Sequence, residues 1–361
     1  MEKINMQNLG LTERFLQESY QYENLFLGRI SSQYKNIYKV ITENGEITAQ
    51  ISGKFRHSVI EQSEYPAVGD FVMVDRLDNA QGDGIIHHVL TRKSTFARKV
   101  AGRKTDTQVV AANIDTLFIC MSLNNDFNLR RLERYISVAW DSGAVPVIVL
   151  TKSDLCSDLD ERLKEVESIA IGIEVLVTSS ISEDGFEPLK SYLADGKTVA
   201  FIGSSGVGKS TLTNHLLGQS IIDTGGIRND DKGRHTTTRR ELFIVPGLGV
   251  VIDTPGMKEL GIINADLSKS FADIDELATQ CRFNDCTHTK EPKCAVQTAI
   301  LDGILTPERF ESYRKLKKET KYEGLNTRLV EKAKINNMFG GISEMKNARK
   351  YMKEKNKKKS R

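Results

Sequence analysis

Eight residues past the middle of the chain, Gly203-Ser204-Ser205-Gly206-Val207-Gly208-Lys209-Ser210, meet the pattern G-x-x-x-x-G-K-[ST] at every fixed position. Glycines let successive backbone N–H groups turn inward on an anion, and a following helix adds its positive dipole end. That is chemistry for a nucleoside polyphosphate. Lys209 reaches the β- and γ-phosphates as the catalytic cation, Ser210 ligates Mg²⁺, and Thr211 follows in the nucleotide-binding set. The apolar run Thr198–Ile202 before the loop and the helical spacing after it supply the required strand and helix. Without them, a glycine-rich turn would explain the same residues.

A phosphate loop does not choose the base. Thr151-Lys152-Ser153-Asp154, directly after the apolar run Val145–Leu150, resembles the [NT]-K-x-D motif that reads guanine. An Asp carboxylate accepts from both the ring N–H and the exocyclic amine of guanine, a donor pair that adenine lacks. The Lys152 stem packs on the base plane, and Thr178-Ser179-Ser180 brackets the base from the other side, with Ser179 in the binding set. T-K-x-D alone is a weak signal; beside a phosphate loop in the same domain it is a strong one.

Asp253-Thr254-Pro255-Gly256 supplies D-x-x-G at a strand end, with Asp253 for magnesium and the Gly256 N–H for the γ-phosphate. Between loop and hairpin, Gly233-Arg234-His235-Thr236-Thr237-Thr238 offers hydroxyls where a switch segment belongs. The chain order is guanine motif, base bracket, phosphate loop, switch and D-x-x-G. Ordinary GTPases begin with the phosphate loop, so this order is a circular permutation, which neighbouring termini tolerate. Position 257 is Met where many GTPases place the water-orienting Gln, and position 206 is Gly rather than the Asn of potassium-assisted enzymes.

Cys281-x4-Cys286-x-His288-x5-Cys294 offers three thiolates and one imidazole. That tetrahedral set suits one structural Zn²⁺ with no open coordination position. Cys120 and Cys156 stand apart beside apolar residues and read as buried small hydrophobes.

Three kinds of element must position these groups. Leu25–Ile30, Ile37–Thr42, Ile47–Ile51, Phe71–Val74 and Ile85–Leu90 are short β-rich runs separated by turn signals, without a helical period. They suggest a small Greek-key barrel with the OB-fold leading, although periodicity leaves an SH3-like barrel open. After about Thr107, strands and helices alternate: Ile114–Leu123, helix Leu129–Ser142, Val145–Leu150, helix Leu159–Ile171, Glu174–Thr178 and Thr198–Ile202. That alternation predicts an α/β parallel sheet covered on both faces. Glu241–Val245 and Gly249–Ile252 read as a hairpin, and the chain turns helical around the Cys/His cluster, with Pro307–Glu319 the clearest helix.

The chain of 361 residues accommodates several domains, expected at 1–105, 106–264 and 265–340 with a tail at 341–361. Hydrophobic residues at 39% and charged residues at 27% fit a soluble globular protein, expected as a cytoplasmic monomer. Neither a signal-peptide-like start nor an apolar run of membrane-spanning length appears, which argues against a membrane partner. The net charge of +3 hides an asymmetry: Lys346 to Arg361 holds nine Lys or Arg against Glu354, leaving the rest near −5. Composition leaves open a polyanion contact or a merely solvating tail.

Taken together, the chain resembles the RsgA (YjeQ) family of small-subunit-dependent GTPases over nearly its whole length. Ala112-Asn113-Ile114-Asp115, Phe127-Asn128-Leu129-Arg130-Arg131, Gly233-Arg234-His235-Thr236-Thr237 and the Cys281 to Val296 cluster carry the likeness. The resemblance implies GTP hydrolysis in late maturation of the small (30S) ribosomal subunit, stimulated by that subunit. It also implies rRNA contacts from the barrel and the zinc domain, with His235 as the catalytic group replacing the missing Gln. Tyr34, Lys35, Tyr38, Lys54, Phe55 and Arg56 could form the RNA face; ordinary barrel packing accounts for them equally well. A protein-directed GTPase switch and a GTP-regulated RNA-binding scaffold are the competing functions.

Overall fold

The computed structural model describes residues 3–99, 107–179, 185–222, 240–256, 267, 269–289 and 291–321. Ser180, the switch segment with His235 and Thr236 to Thr238, Met257 and the basic tail lie outside them.

Five strands form the N-terminal barrel: β1 (Phe26–Tyr34), β2 (Ile37–Thr42), β3 (Gly45–Ile51), β4 (Phe71–Val74) and β5 (Gly84–Val89). Their order is β1-β2-β3-β5-β4, and a β1–β4 pairing closes the ring; β3 and β5 run parallel. The alternation of in-facing residues places Ile30, Val40, Ile47, Val72 and Ile86 in one core. This is the five-stranded closed barrel of the OB type, which decides against the SH3-like alternative. Two short helices interrupt the strand-only reading of this region. α1 (Glu13–Ser19) sets Phe15 against Phe71, and α2 (Gly53–Ser58) starts under a Ser52 side-chain cap. Each has two turns or fewer, too short to impose a visible 3.6-residue period.

A hairpin of β6 (Thr95–Lys99) and β7 (Thr107–Ala112) straddles residue 105 and leads into the second sheet. That sheet contains β8 (Thr116–Ser122), β9 (Val145–Thr151), β10 (Glu174–Val177), β11 (Thr198–Ile202), β12 (Glu241–Ile244) and β13 (Val250–Asp253). The order is β10-β9-β8-β11-β13-β12, parallel except for β12. Both faces are buried because successive residues feed opposite cores. Leu117 and Ile119 meet α3 (Leu129–Asp141) on one side. Phe118 and Cys120 meet α5 (Glu187–Ser191) and α6 (Lys209–Leu217) on the other. α4 (Leu159–Glu167) ends four residues before the Ile171 expected from spacing, and Cys156 is half-buried against Asp158 rather than a core residue.

The two sheets are continuous. β12 pairs with β13 on one edge and with β1 on the other, where Glu241 stands opposite both Asp253 and Ser32. The fully buried Arg29 of β1 reinforces this joint. Its guanidinium donates to Gly69 O at 3.1 Å and Thr198 Oγ1 at 2.9 Å, and also to Leu9 O. Burial lowers its pKa to about 10, so it remains charged. The Asn113 and Asp115 signature residues belong to the same joint. Asn113 Nδ2 donates to Gly69 O at 3.1 Å, and Asp115 accepts from Lys93 Nζ at 2.6 Å and from the Thr198 N–H at 2.8 Å.

The last described elements are α7 (Ala272–Thr279), α8 (Ala295–Leu301) and α9 (Pro307–Lys321). Arg309 fixes them to α3: it reaches Glu133 at 3.2 Å, Asp273 at 2.7 Å and Ser270 O at 3.1 Å, stacked over Phe271.

Candidate nucleotide site and metal centre

The phosphate loop leaves the buried strand β11 at the centre of its sheet and enters α6 at Lys209. Gly203 has φ of +152°, and a Cβ there would lie 2.5 Å from the Cys120 carbonyl oxygen, so no larger residue fits against β8. Lys209 is 6% exposed, and its Nζ donates to Gly203 O at 3.0 Å and Ser204 O at 2.8 Å. Burial lowers its pKa, opposed by Cys120 and Asp253. The ammonium is thus held inside the loop, on carbonyl oxygens that hold it at the loop's centre without neutralising its charge. Ser204 and Val207 are buried, Ser205, Gly208 and Ser210 are half-buried, and Gly206 and Thr211 are exposed.

Asp253 ends β13 beside this loop and is 1% exposed. Neither carboxylate oxygen closes a hydrogen bond with a described residue. Burial pushes its pKa up to about 6, opposed by the charge of Lys209 and by the backbone amide of Thr254. A buried carboxylate without close donors is costly unless a cation meets it, so the donor set suits a hard metal ion. Thr254 Oγ1 donates to Phe201 O and ties this turn to β11. A Cβ on Gly256 would sit 2.8 Å from Ser205 Cα and 2.9 Å from its nitrogen. The D-x-x-G turn therefore packs directly on the phosphate loop.

The guanine motif meets the loop from the ends of β9 and β10, on the far side of β8. Thr151, at the end of β9, donates its hydroxyl to Val207 O at 2.6 Å across 56 residues of sequence. Lys152 has φ of 58°, an uncommon left-handed conformation costing about 1 kcal/mol. The following turn contains Ser153 and the exposed Asp154. Ser179 Oγ donates to Asp154 Oδ1 at 2.6 Å, and the Ser153 N–H donates to Thr178 O at 3.2 Å. These two bonds join the two expected halves of the base bracket.

One residue escaped the sequence reading. Asp126 sits in the turn after β8 and accepts from Ser204 Oγ at 2.6 Å, while Arg131 reaches both of its oxygens within 3.1 Å. Its only sequence signal was adjacency to Phe127-Asn128-Leu129-Arg130-Arg131. Conversely, Tyr38 is 2% exposed and belongs to the barrel core, not to an RNA face; Tyr34 is 61% exposed and remains a candidate.

Cys281, Cys286, His288 and Cys294 converge with all ligand atoms within 4.8 Å of one another. His288 Nδ1 lies 3.5 Å from Cys281 Sγ and from Cys294 Sγ. Cys294 caps α8 by accepting from the Gln297 N–H at 3.4 Å, and Gln297 Nε2 donates to His288 O at 2.7 Å. Such a cluster can hold a metal ion, with its ligands already oriented by secondary contacts.

A family model described as RsgA GTPase matches residues 89–263. The chain is 51% identical to the small ribosomal subunit biogenesis GTPase RsgA 2 of Lactiplantibacillus plantarum, over 95% of this chain and 97% of that protein. It is 44% identical to RsgA 1 of Listeria monocytogenes, covering 88% and 90%. Among solved structures it resembles YjeQ from Thermotoga maritima, with TM-score 0.59 and 29% identity over 82% of this chain and 98% of that one. It also resembles YloQ, titled a circularly permuted GTPase, with TM-score 0.58 and 26% identity over 84% and 97%. With the guanine-motif strand preceding the phosphate loop, an OB-type barrel before both and a Cys/His cluster after them, the chain belongs to the RsgA GTPase family and is a hydrolase acting on GTP.

Proposed function

We propose that this protein serves the biogenesis of the small ribosomal subunit as a cytoplasmic, monomeric GTPase, binding rRNA and hydrolysing GTP to GDP under stimulation by the subunit. The bond between Thr151 and Val207 supports this reading most. It joins the base-reading turn to the phosphate loop, as recognition of one whole nucleotide requires. Asp154 reads guanine with Ser179 supporting it, Lys152 covers the base, and the amides from Gly203 to Thr211 cradle the phosphates.

Ser210 and Asp253 would hold Mg²⁺, whose charge, when bound, neutralises the β- and γ-phosphate oxygens. Lys209 supplies fixed positive charge where the leaving oxygens develop negative charge. The Gly256 N–H responds to the γ-phosphate, and the packing of Gly256 on Ser205 ties the D-x-x-G turn to the phosphate loop. With Met at position 257, the attacking water takes its orientation from His235 of the switch segment. Zn²⁺ is the ion that three thiolates and one imidazole favour, in a structural role. Domain limits near 105, 264 and 340 suit these roles.

GTP turnover with and without purified small subunits tests the reading. Wild-type turnover should rise with subunits, and His235→Ala should keep GTP binding while losing that rise. A wild-type rate indifferent to small subunits refutes the ribosomal assignment; stimulation that persists in His235→Ala refutes the role of the histidine.

A further inference from the structure

The phosphate loop carries three hydroxyls, on Ser204, Ser205 and Ser210. Two of them have a use. Ser204 Oγ is committed to Asp126 at 2.6 Å, and Ser210, in the first turn of α6, is the hydroxyl offered to magnesium. Ser205 differs from both. Among the described residues its hydroxyl makes no hydrogen bond, and the residue is only half-buried. The group is therefore open to a ligand entering the loop, with no protein acceptor competing for it.

Its place in the fold points to the reacting end of the nucleotide. A Cβ on Gly256 would lie 2.8 Å from Ser205 Cα, 2.9 Å from its nitrogen and 3.2 Å from its Cβ. The D-x-x-G turn thus closes on Ser205 itself. Gly256 carries the amide that meets the γ-phosphate, so Ser205 stands where loop and turn converge on the terminal phosphoryl group. The next residue in that turn, Met257, brings a thioether, which is at best a weak acceptor and never a donor. A serine hydroxyl offers one donor and two acceptor lone pairs on a short side chain. It can bridge a phosphate oxygen and a water, which the methionine cannot.

We propose that the Ser205 hydroxyl is a catalytic group in GTP hydrolysis, donating to a γ-phosphate oxygen and accepting a hydrogen bond from the attacking water. The water oxygen forms its bond to the γ-phosphorus as the bond from that phosphorus to the β–γ bridging oxygen breaks. The bridging oxygen leaves with the electron pair as part of GDP. One water proton passes to a γ-phosphate oxygen, and inorganic phosphate departs; Ser205 neither gains nor loses a proton. Holding the water against the phosphorus is positioning, the main contribution a protein makes to phosphoryl transfer. The proposal rests on the phosphate-loop reading above, which uses only the backbone amide of Ser205.

The test measures single-turnover hydrolysis of γ-labelled GTP by the full-length chain, with and without small subunits, and the affinity for a non-hydrolysable GTP analogue. Ser205→Ala keeps the Cβ against Gly256 and removes only the hydroxyl. It should hold the analogue within about twofold of wild type while hydrolysis slows about ten- to a hundredfold, as the loss of a hydrogen bond to a charged group predicts. Ser205→Gly, which removes the Cβ as well, should slow hydrolysis by about the same factor. A wild-type rate in Ser205→Ala overturns the proposal, and a loss confined to Ser205→Gly assigns the effect to packing instead. A fall in affinity as large as the fall in rate also overturns it, because the hydroxyl would then act in binding alone. Lys209→Ala is measured beside them. Undiminished affinity and turnover in that variant defeat the phosphate-loop reading itself, whereas an impaired Lys209→Ala with an unimpaired Ser205→Ala defeats this inference alone.

Discussion

Ser204 of the phosphate loop donates its hydroxyl to Asp126, 78 residues earlier in the chain, at 2.6 Å. Asp126 is in turn gripped by Arg131, on the first turn of α3. The phosphate loop therefore has a lateral support that its own motif does not contain. α3 also carries Glu133, the partner of Arg309, so one helix touches both the loop and the metal-cluster region.

Removing that support should loosen the loop without unfolding the sheet. A hydrogen bond to a charged acceptor contributes about 1.5–3 kcal/mol. Ser204→Ala should thus weaken GTP affinity by roughly tenfold or more, with Asp126→Ala at least as severe because Arg131 also loses its partner. The double variant should cost clearly less than the sum of the two, which a binding cycle by calorimetry reads directly. Strict additivity would show that the two residues act separately.

Base choice should depend on Asp154. Two charge-assisted bonds to guanine contribute about 3–6 kcal/mol together, so Asp154→Asn should reduce GTP affinity by at least about a hundredfold. Ser179→Ala removes the positioning bond to Asp154, whose loss should cost about 1 kcal/mol. Competition between GTP, ITP and ATP checks both. ITP, which lacks the exocyclic amine, should lose its disadvantage against GTP in Asp154→Asn.

Metal removal should act on the C-terminal helices first. Chelation, or Cys294→Ser, should abolish a stoichiometry of about one zinc per chain and expose the backbone around α8, since ligand binding and local folding are one equilibrium there. Hydrogen exchange should show lost protection over α7 to α9 while β8 and β11 remain protected. Uniform protection after metal loss would mean the four ligands are not holding a structural ion.

The barrel joint should be the most costly polar contact to break. Arg29→Met leaves the acceptors at Gly69, Leu9 and Thr198 without their donor around a fully buried side chain. The expected loss is about 3–5 kcal/mol in urea unfolding, larger than for most single substitutions. Asn113→Ala, which removes one bond to Gly69 and one from the Lys93 N–H, should cost about 1–3 kcal/mol.

Much of this protein could be read along the chain because its chemistry is locally encoded. A phosphate loop needs its glycines in sequence, a guanine reader needs its Asp three residues after its Thr, and a thiolate cluster needs close spacing. Strand runs such as Thr198–Ile202 were equally legible, since burial on both faces leaves an uninterrupted apolar stretch. Short helices were not: α1 and α2 each span two turns or fewer, and their positions are set by what Phe15 and Ser52 contact. The burial of Tyr38 was also invisible, because a tyrosine that alternates with polar neighbours suits the inside of a barrel as well as its outside.

By itself, then, the sequence determined the guanine and phosphate motifs, their permuted order and the metal-ligand set. Only the tertiary structure decided that Thr151 meets Val207, that Asp126 supports Ser204, that Arg29 welds barrel to sheet, and that Gly256 packs on Ser205. The physical reason is the same in each case. These contacts join residues far apart in the chain, and their geometry depends on strand order and on desolvation by surrounding elements, neither of which residue spacing records.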